Sequence, residues 1–253
     1  MASPVIELRN VTLKFGAEVL LKDIRLAIEK GENFVLIGPS GQGKSTLLKL
    51  MAGLIAPTSG DVLVEGKNWR TMQGSERADI ARKTGMLFQK NALFDSLTVF
   101  ENVAFPLREV LHASEEEIQE TVEKYLDAVG IWHSKDLYPD EISGGMQKRL
   151  GIARALALRP EIVFYDDPTA GLDPITSRKI VQLIVDLQKE MGTTVVAVTN
   201  DMNRAEQMAH RIGMVVETEL IVCGTPEQTR VHPDPRVQQF INGALSGPLT
   251  VNA

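Results

Sequence analysis

Phe34-Val35-Leu36-Ile37-Gly38-Pro39-Ser40-Gly41-Gln42-Gly43-Lys44-Ser45-Thr46 is the stretch that decides the fold. An apolar run of strand length passes through a glycine-rich turn into Leu47, Leu48, Leu50 and Met51, which are spaced as one face of a helix that stops at Gly53. A strand that enters a helix this tightly aims successive backbone N–H groups at one point, and the helix start adds its own positive partial charge. The glycines let the backbone approach a phosphate closely. Lys44 then reaches the β- and γ-phosphates as a point charge, and the Ser45 hydroxyl is placed to coordinate Mg²⁺. Gly38 to Thr46 therefore predicts a nucleoside triphosphate ligand.

Working outward, length and composition agree with a single α/β domain carrying a smaller insertion. The 253 residues are 43% hydrophobic and 24% charged, ordinary globular usage that allows a large core. The N-terminus leads straight into Val5-Ile6-Glu7-Leu8, so no signal peptide is expected. No apolar run approaches the ~20 residues that span a bilayer, and a soluble chain is expected. The net charge of −6 opposes the basic face that a duplex nucleic acid needs, so no nucleic-acid partner is expected. The one cysteine, Cys223, excludes an internal disulfide or a Cys-based zinc site and reads as buried strand.

Short strands are expected at Ile6 to Leu8, Val11 to Phe15 and Ile24 to Ile28, whose alternation suggests a half-buried antiparallel sheet. Asp61 to Val64 adds a strand after Pro57-Thr58-Ser59-Gly60, and Met86-Leu87-Phe88 adds another that ends at Gln89. From Asn91 to Asp140 the chain reads as helices. Thr98 with Glu101, and Ser114 with Glu117, are spaced as capping boxes. Ile118, Val122, Tyr125, Leu126 and Val129 share one helical face before Gly130, a C-terminal stop. Buried strands return at Ile162 to Tyr165 and Val195 to Thr199, with a helix from Pro174 to Gly192 between them, and further strands at Ile212 to Val216 and Leu220 to Cys223. The Pro- and Gly-rich tail carries one short helix around Val237 to Ile241. The resulting division is a β-rich core over 1–90 and 160–225, a helical subdomain over 91–159 and a C-terminal extension over 226–253.

Ser143-Gly144-Gly145-Met146-Gln147 opens a further helical run that extends through Leu158. Taken alone it is either a serine-capped surface helix or a second helix start built for an anion. Asp166 ends the buried run Ile162 to Tyr165 and precedes Asp167 and Pro168. A phosphate-loop protein places its magnesium-orienting aspartate at such a strand end.

Six stretches in this order resemble the nucleotide-binding subunit of an ATP-binding-cassette (ABC) transporter. Phe15 matches the aromatic that stacks on adenine, Gly38 to Thr46 the Walker A loop, and Gln89 the glutamine of the Q-loop. Ile142 to Met146 match the signature sequence, Ile162 to Asp166 Walker B, and Ala170-Gly171-Leu172-Asp173 the D-loop. The resemblance implies a P-loop NTPase core with an N-terminal antiparallel β subdomain and an inserted α-helical subdomain. It implies ATP and Mg²⁺ as cofactors, the metal being held by Ser45, Gln89 and Asp166. It also implies hydrolysis by Asp167, Gln89 and Asn200, and Ser143, Gly144 and Gly145 closing over the ATP of a second copy in a head-to-tail homodimer. The remaining implied partners are integral membrane permease subunits, on the cytoplasmic face of the inner (plasma) membrane where this subunit is peripheral.

The segment Ala92 to Asp95 through Val99 to Arg108, the tail Asp234 to Phe240, and Met146 within the signature are similar to ATPases of Mce/Mla-type phospholipid transporters. That narrower resemblance implies a small regulatory subunit, and a periplasmic Mce-domain protein reached through the permease.

Two positions depart from the common pattern. Asp167 stands where the family has a glutamate that polarises water, and Asn200 where it has a switch histidine. An aspartate is shorter by roughly 1.5 Å, a misplacement that can cost about 100-fold in rate. An asparagine keeps its hydrogen bonds but cannot carry an imidazolium's charge. Two readings stay open on these residues: a motor subunit that hydrolyses ATP, and a nucleotide-gated clamp with little hydrolysis. A soluble ABC protein of translation or DNA repair is a third, but those have paired cassettes or long coiled coils, which this chain lacks.

Overall fold

The computed structural model describes residues 3–250 and resolves into two compact units: Gly74–Thr193 forms one, and the chain up to Gln73 together with the chain from Thr194 forms the other. The first part of the chain contributes β1 (Ile6–Phe15), β2 (Glu18–Ile28), β3 (Asn33–Ile37), α1 (Lys44–Met51), β4 (Ser59–Val64) and β5 (Lys67–Asn68). The middle contributes α2 (Gly74–Arg82), β6 (Thr84–Leu87), α3 (Val99–Pro106), α4 (Glu115–Ala128), α5 (Gly144–Leu156), β7 (Ile162–Asp166) and α6 (Pro174–Met191). The last part returns with β8 (Thr194–Val198), α7 (Met202–Met208), β9 (Arg211–Val216), β10 (Glu219–Gly224), α8 (Pro226–Arg230) and α9 (Pro235–Asn242).

In the discontinuous unit, β1 pairs antiparallel with β2 and β4, and β4 with β5. The two expected strands at Ile6 to Leu8 and Val11 to Phe15 are one strand, interrupted by register shifts around Asn10, which has φ +50°. The bulge resets the alternation and makes one strand read as two. In a second sheet β3 lies between β8 and β9, parallel to both, and β10 closes the edge antiparallel to β9. Every residue of β3 and β8 is buried, which is why both read as unbroken apolar runs. Cys223 is buried on β10, as expected. Arg236 on α9 reaches Glu217 and Glu219 at the β9–β10 hairpin, both at 3.2 Å, and pins the C-terminal helix there.

In the other unit β6 and β7 pair in parallel, and α5 packs on β6 at very close range. A Cβ on Gly85 of β6 would lie 2.2 Å from the Ala155 carbonyl oxygen of α5, and one on Gly151 of α5 would lie 2.4 Å from Leu87 Cδ1. Both capping boxes form, at Thr98 with Glu101 and at Ser114 with Glu117. The expected apolar face of α4 is buried, and Gly130 follows it at φ +71°.

The departures have local causes. Residues 91–98 are loop rather than helix, since α3 begins only after its Thr98 cap. After Pro106 the chain winds as a π-type turn from Leu107 to Leu111, where the proline's missing N–H and its ring interrupt the i to i−4 ladder. α5 stops at Leu156, two residues before the expected end. The sequence reading missed α2, which buries only Ile80 and has no apolar period to detect. It also missed α7 and α8, each too short to show one.

Asn102 explains how loop 94–98 is held. It is fully buried on α3, and its side-chain oxygen accepts from the Phe94 amide at 2.9 Å. Its nitrogen lies 3.1 Å from the Phe94 carbonyl and 3.0 Å from those of Leu97 and Thr98. Asn102→Ala strands these groups inside the protein and should cost about 3 kcal/mol, lowering the melting temperature by roughly 6–12 °C. A thermal unfolding scan checks this, and a loss under ~2 °C would show that the loop does not depend on Asn102.

Candidate nucleotide site

The residues singled out from the sequence fall into two groups, one in each unit. Phe15, Gly38 to Thr46 and Asn200 belong to the discontinuous unit, and Gln89, Ser143, Gly144, Gly145, Asp166 and Asp167 to the other.

In the first group, the loop Gly38 to Gly43 joins β3 to α1. Gly38 has φ +134°, and a Cβ there would lie 2.2 Å from the Val215 carbonyl oxygen of β9. Its lack of a side chain is therefore required by packing inside the sheet, independently of any phosphate. Gly41 and Gly43 also have positive φ, +80° and +92°, and turn the chain into α1. α1 starts at Gly43 without a side-chain cap and with no acidic residue in its own first turn, which leaves the positive end of the helix uncompensated from within. Lys44 is buried, and its ammonium bends back into the loop to donate to the carbonyls of Gly38 at 2.8 Å and Pro39 at 2.6 Å. Ser45 and Thr46 are half-buried in the first turn, while Ser40 and Gly41 face solvent. The Gln42 side chain accepts from the Glu217 amide at 2.9 Å, which moors the loop to the β9–β10 turn. Phe15 ends β1 with 58% of its surface exposed, available for stacking. Asn200 is exposed just past β8, between buried Thr199 and Asp201, which caps α7.

In the second group, a lysine to which the sequence reading gave no role contacts the backbone of Gln89 and feels the charges of Asp166 and Asp167. Lys148 on α5 is buried, and its ammonium donates to the Gln89 carbonyl at 2.5 Å. Burial pulls its pKa below the ordinary lysine value, and the charges of Asp167 and Asp166 pull it partly back. The signal for Lys148 was present: it shares the apolar face of α5 with Ile152 and Leu156, where a charged residue is out of place. Arg154, on the same helix, donates to the carbonyls of Asn91 at 2.8 Å and Ala92 at 2.7 Å.

Asp166 ends β7 as a buried carboxylate. Asp167 follows in the left-handed region at φ +48°, where aspartate is among the better tolerated residues. Ser143 caps α5, accepting from the Met146 amide at 3.3 Å, and it and Gly144 are exposed. The serine-capped surface helix and the anion-facing helix start are thus compatible with one geometry. Gly145 lies against α6, where a Cβ would meet the Thr176 methyl at 3.1 Å.

An apolar groove of about 340 Å³ opens beside the glutamine loop, lined by Met86, Phe88, Phe94, Phe105 and Leu158 among others. The exposed rings of Phe94 and Phe105 stand 4.6 Å apart, and the Arg154 guanidinium lies 5.6 Å from the Phe94 ring.

Residues 21–170 match the ABC transporter family. The chain is 39% identical over 244 residues to the probable ribonucleotide transport ATP-binding protein mkl of Mycobacterium leprae, an alignment covering 96% of this chain and 70% of the relative. It is 37% identical over 245 residues to the intermembrane phospholipid transport system ATP-binding protein MlaF of Escherichia coli, covering 97% and 91%. Among solved structures it resembles a dimeric post-hydrolysis state of the ATP-binding cassette MJ0796 bound to ADP and phosphate, with TM-score 0.78, 38% identity and coverage of 85% and 96%. It also resembles CbiO1 from Clostridium perfringens, part of the ABC transporter complex CbiONQ, with TM-score 0.82, 28% identity and coverage of 96% on both sides. The chain belongs to the ABC transporter family, as one of its nucleotide-binding ATPase cassettes.

Proposed function

We propose that this chain is the motor subunit of a phospholipid transporter of the Mce/Mla type, pairing with a second copy around two ATP molecules and driving a membrane permease. The observation that carries the pairing is the presence of two separate glycine-bearing helix starts, α1 with Lys44 and α5 with Ser143 to Gly145, against one triphosphate per chain. A head-to-tail dimer uses both, the loop Gly38 to Thr46 of one copy facing the Ser143 end of the other. Phe15 stacks on the base, and no nucleic acid takes part.

Ser45, Gln89 and Asp166 offer a hydroxyl, an amide oxygen and a carboxylate, hard oxygen donors of the kind Mg²⁺ takes. When bound there the ion neutralises charge on the β- and γ-phosphates. Lys44 adds its charge to the same oxygens, exchanging the carbonyls of Gly38 and Pro39 for phosphate. Asp167 orients the attacking water, and Asn200 donates a hydrogen bond toward the γ-phosphate. Loss of that phosphate releases the Ser143 end and opens the dimer.

The groove at Phe94 and Phe105 supports the permease as a partner, because it joins an exposed apolar surface directly to the loop carrying Gln89. Docking there makes the chain peripheral on the cytoplasmic face of the inner membrane, and no described helix is long and apolar enough to cross a membrane itself. A small regulatory subunit and a periplasmic Mce-domain protein complete the assembly in this reading. The division into a core over 1–90 and 160–225, a helical subdomain over 91–159 and an extension over 226–253 belongs to the same proposal. Phospholipid is favoured over ribonucleotide as cargo because the match covers 91% of the E. coli protein and 70% of the mycobacterial one. The clamp with little hydrolysis is the second reading, favoured by Asp167 and Asn200. Reconstitution in labelled vesicles decides the cargo: ATP-dependent movement of phospholipid supports the proposal, and ribonucleotide uptake without it sinks it.

Lys44→Ala should weaken MgATP binding about 100-fold, the worth of a charge-assisted hydrogen bond of ~3 kcal/mol. Titration calorimetry on the purified chain reads this, and an affinity within threefold of wild type would remove Lys44 from the site. In the assembled transporter, Asp167→Asn should cut ATP turnover about 100-fold while the ATP-bound dimer persists. Wild-type turnover in that variant would transfer the argument to the clamp. Phe94→Asp with Phe105→Asp should leave MgATP affinity unchanged and prevent co-purification with the permease. Retention of the permease would place its docking elsewhere.

A further inference from the structure

We propose that Lys148 is a positioning residue for ATP hydrolysis, joining the helix that starts at Ser143 to the loop that carries Gln89. The proposal rests on the assignment of Gln89 and Asp167 to hydrolysis made above. α5 reaches the loop only because Gly85 and Gly151 let it sit directly on β6. From that seat Lys148 extends to the Gln89 carbonyl at 2.5 Å, and the carboxylates of Asp166 and Asp167 act on its charge. Six residues further along α5, Arg154 holds the next two exposed carbonyls of the same loop, those of Asn91 and Ala92. Asn91 and Ala92 both have left-handed backbone, φ +60° and +51°, a conformation that alanine does not choose unaided. The loop is therefore shaped by donors from α5.

A packing role does not account for Lys148. Leucine or methionine would fill the apolar face of α5 without burying a charge, and burial of an ammonium is costly unless it is paired and hydrogen-bonded. The ammonium is hydrogen-bonded to the Gln89 backbone carbonyl, a group of the loop assigned above to hydrolysis, and the charges of Asp166 and Asp167 favour its protonated form. A helix is stiff over the distance from Ser143 to Lys148. Movement of the Ser143 end therefore carries the Gln89 carbonyl with it through the Lys148 ammonium.

The test uses the assembled transporter for turnover and the purified chain for hydrogen exchange. Lys148→Met keeps the apolar stem and removes the donor. It should lower kcat at least tenfold with KM for ATP within twofold, and speed exchange of the amides at 90–92 while those at 38–46 keep wild-type rates. Lys148→Arg, which restores charge and donors, should recover most of the lost rate. Turnover within twofold of wild type in Lys148→Met overturns the proposal. Equal loss in Lys148→Met and Lys148→Arg with unchanged exchange overturns it as well. If Lys148→Met does not fold, Lys148→Gln is measured in the same way, and wild-type kcat there is equally fatal. Asp167→Asn run alongside separates the two layers. Wild-type turnover in that variant sinks the hydrolytic assignment and the proposal together, whereas loss of turnover there with a fully active Lys148→Met sinks the Lys148 role only.

Discussion

The contact between α5 and β6 is the constraint on which the arrangement around Gln89 and Lys148 depends. A helix normally rides over a strand on side chains of both partners, and here two glycines face the contact, so that the Ala155 carbonyl occupies the space a Cβ on Gly85 would need. Lys148 and Arg154 consequently lie level with the loop after β6 and meet its backbone, not its side chains. Burying an ammonium and a guanidinium costs several kcal/mol each when they are unpaired. Here the ammonium is offset by the Gln89 carbonyl and the guanidinium by those of Asn91 and Ala92. The left-handed turns and the two cations of α5 thus support one another through these hydrogen bonds.

The other half is built on the same physical device with a different outcome. Lys44 is also a buried ammonium satisfied by carbonyls, those of Gly38 and Pro39, but these belong to its own loop and lie only five and six residues away. Local partners of this kind are exchanged for phosphate oxygens without moving a helix. Lys148 has partners from a different element, so exchanging them would move α5. One lysine is thus suited to binding a ligand and the other to holding structure around it, although burial and chemistry are alike.

Much of this was legible in the sequence, and the boundary is physical. The parallel strands β3, β7 and β8 are buried on both faces and leave unbroken apolar runs, and α4 and α6 end in glycine and begin in caps. Such signals are local. β5 and α2 were invisible because a two-residue strand and a helix burying one side chain have no period. Gly38 was read as a glycine needed near phosphate, whereas the nearest obstruction is the Val215 carbonyl, a neighbour 177 residues away in sequence that no local pattern reveals. Lys148 stands between Gln147 and Arg149 in a polar run, which masks the helical spacing that puts it on one face with Ile152 and Leu156.

The same distinction bears on Asp167. Judged by length, an aspartate in a glutamate's place is too short by one bond. Judged by backbone, the position is left-handed at φ +48°, in a region that aspartate enters more readily than most side chains because its short polar group can bond locally. The left-handed turn also redirects the Cα–Cβ bond relative to the strand that precedes it. Reach is therefore set by the turn as well as by the number of carbons, and a longer side chain would have to be carried by a backbone less suited to it.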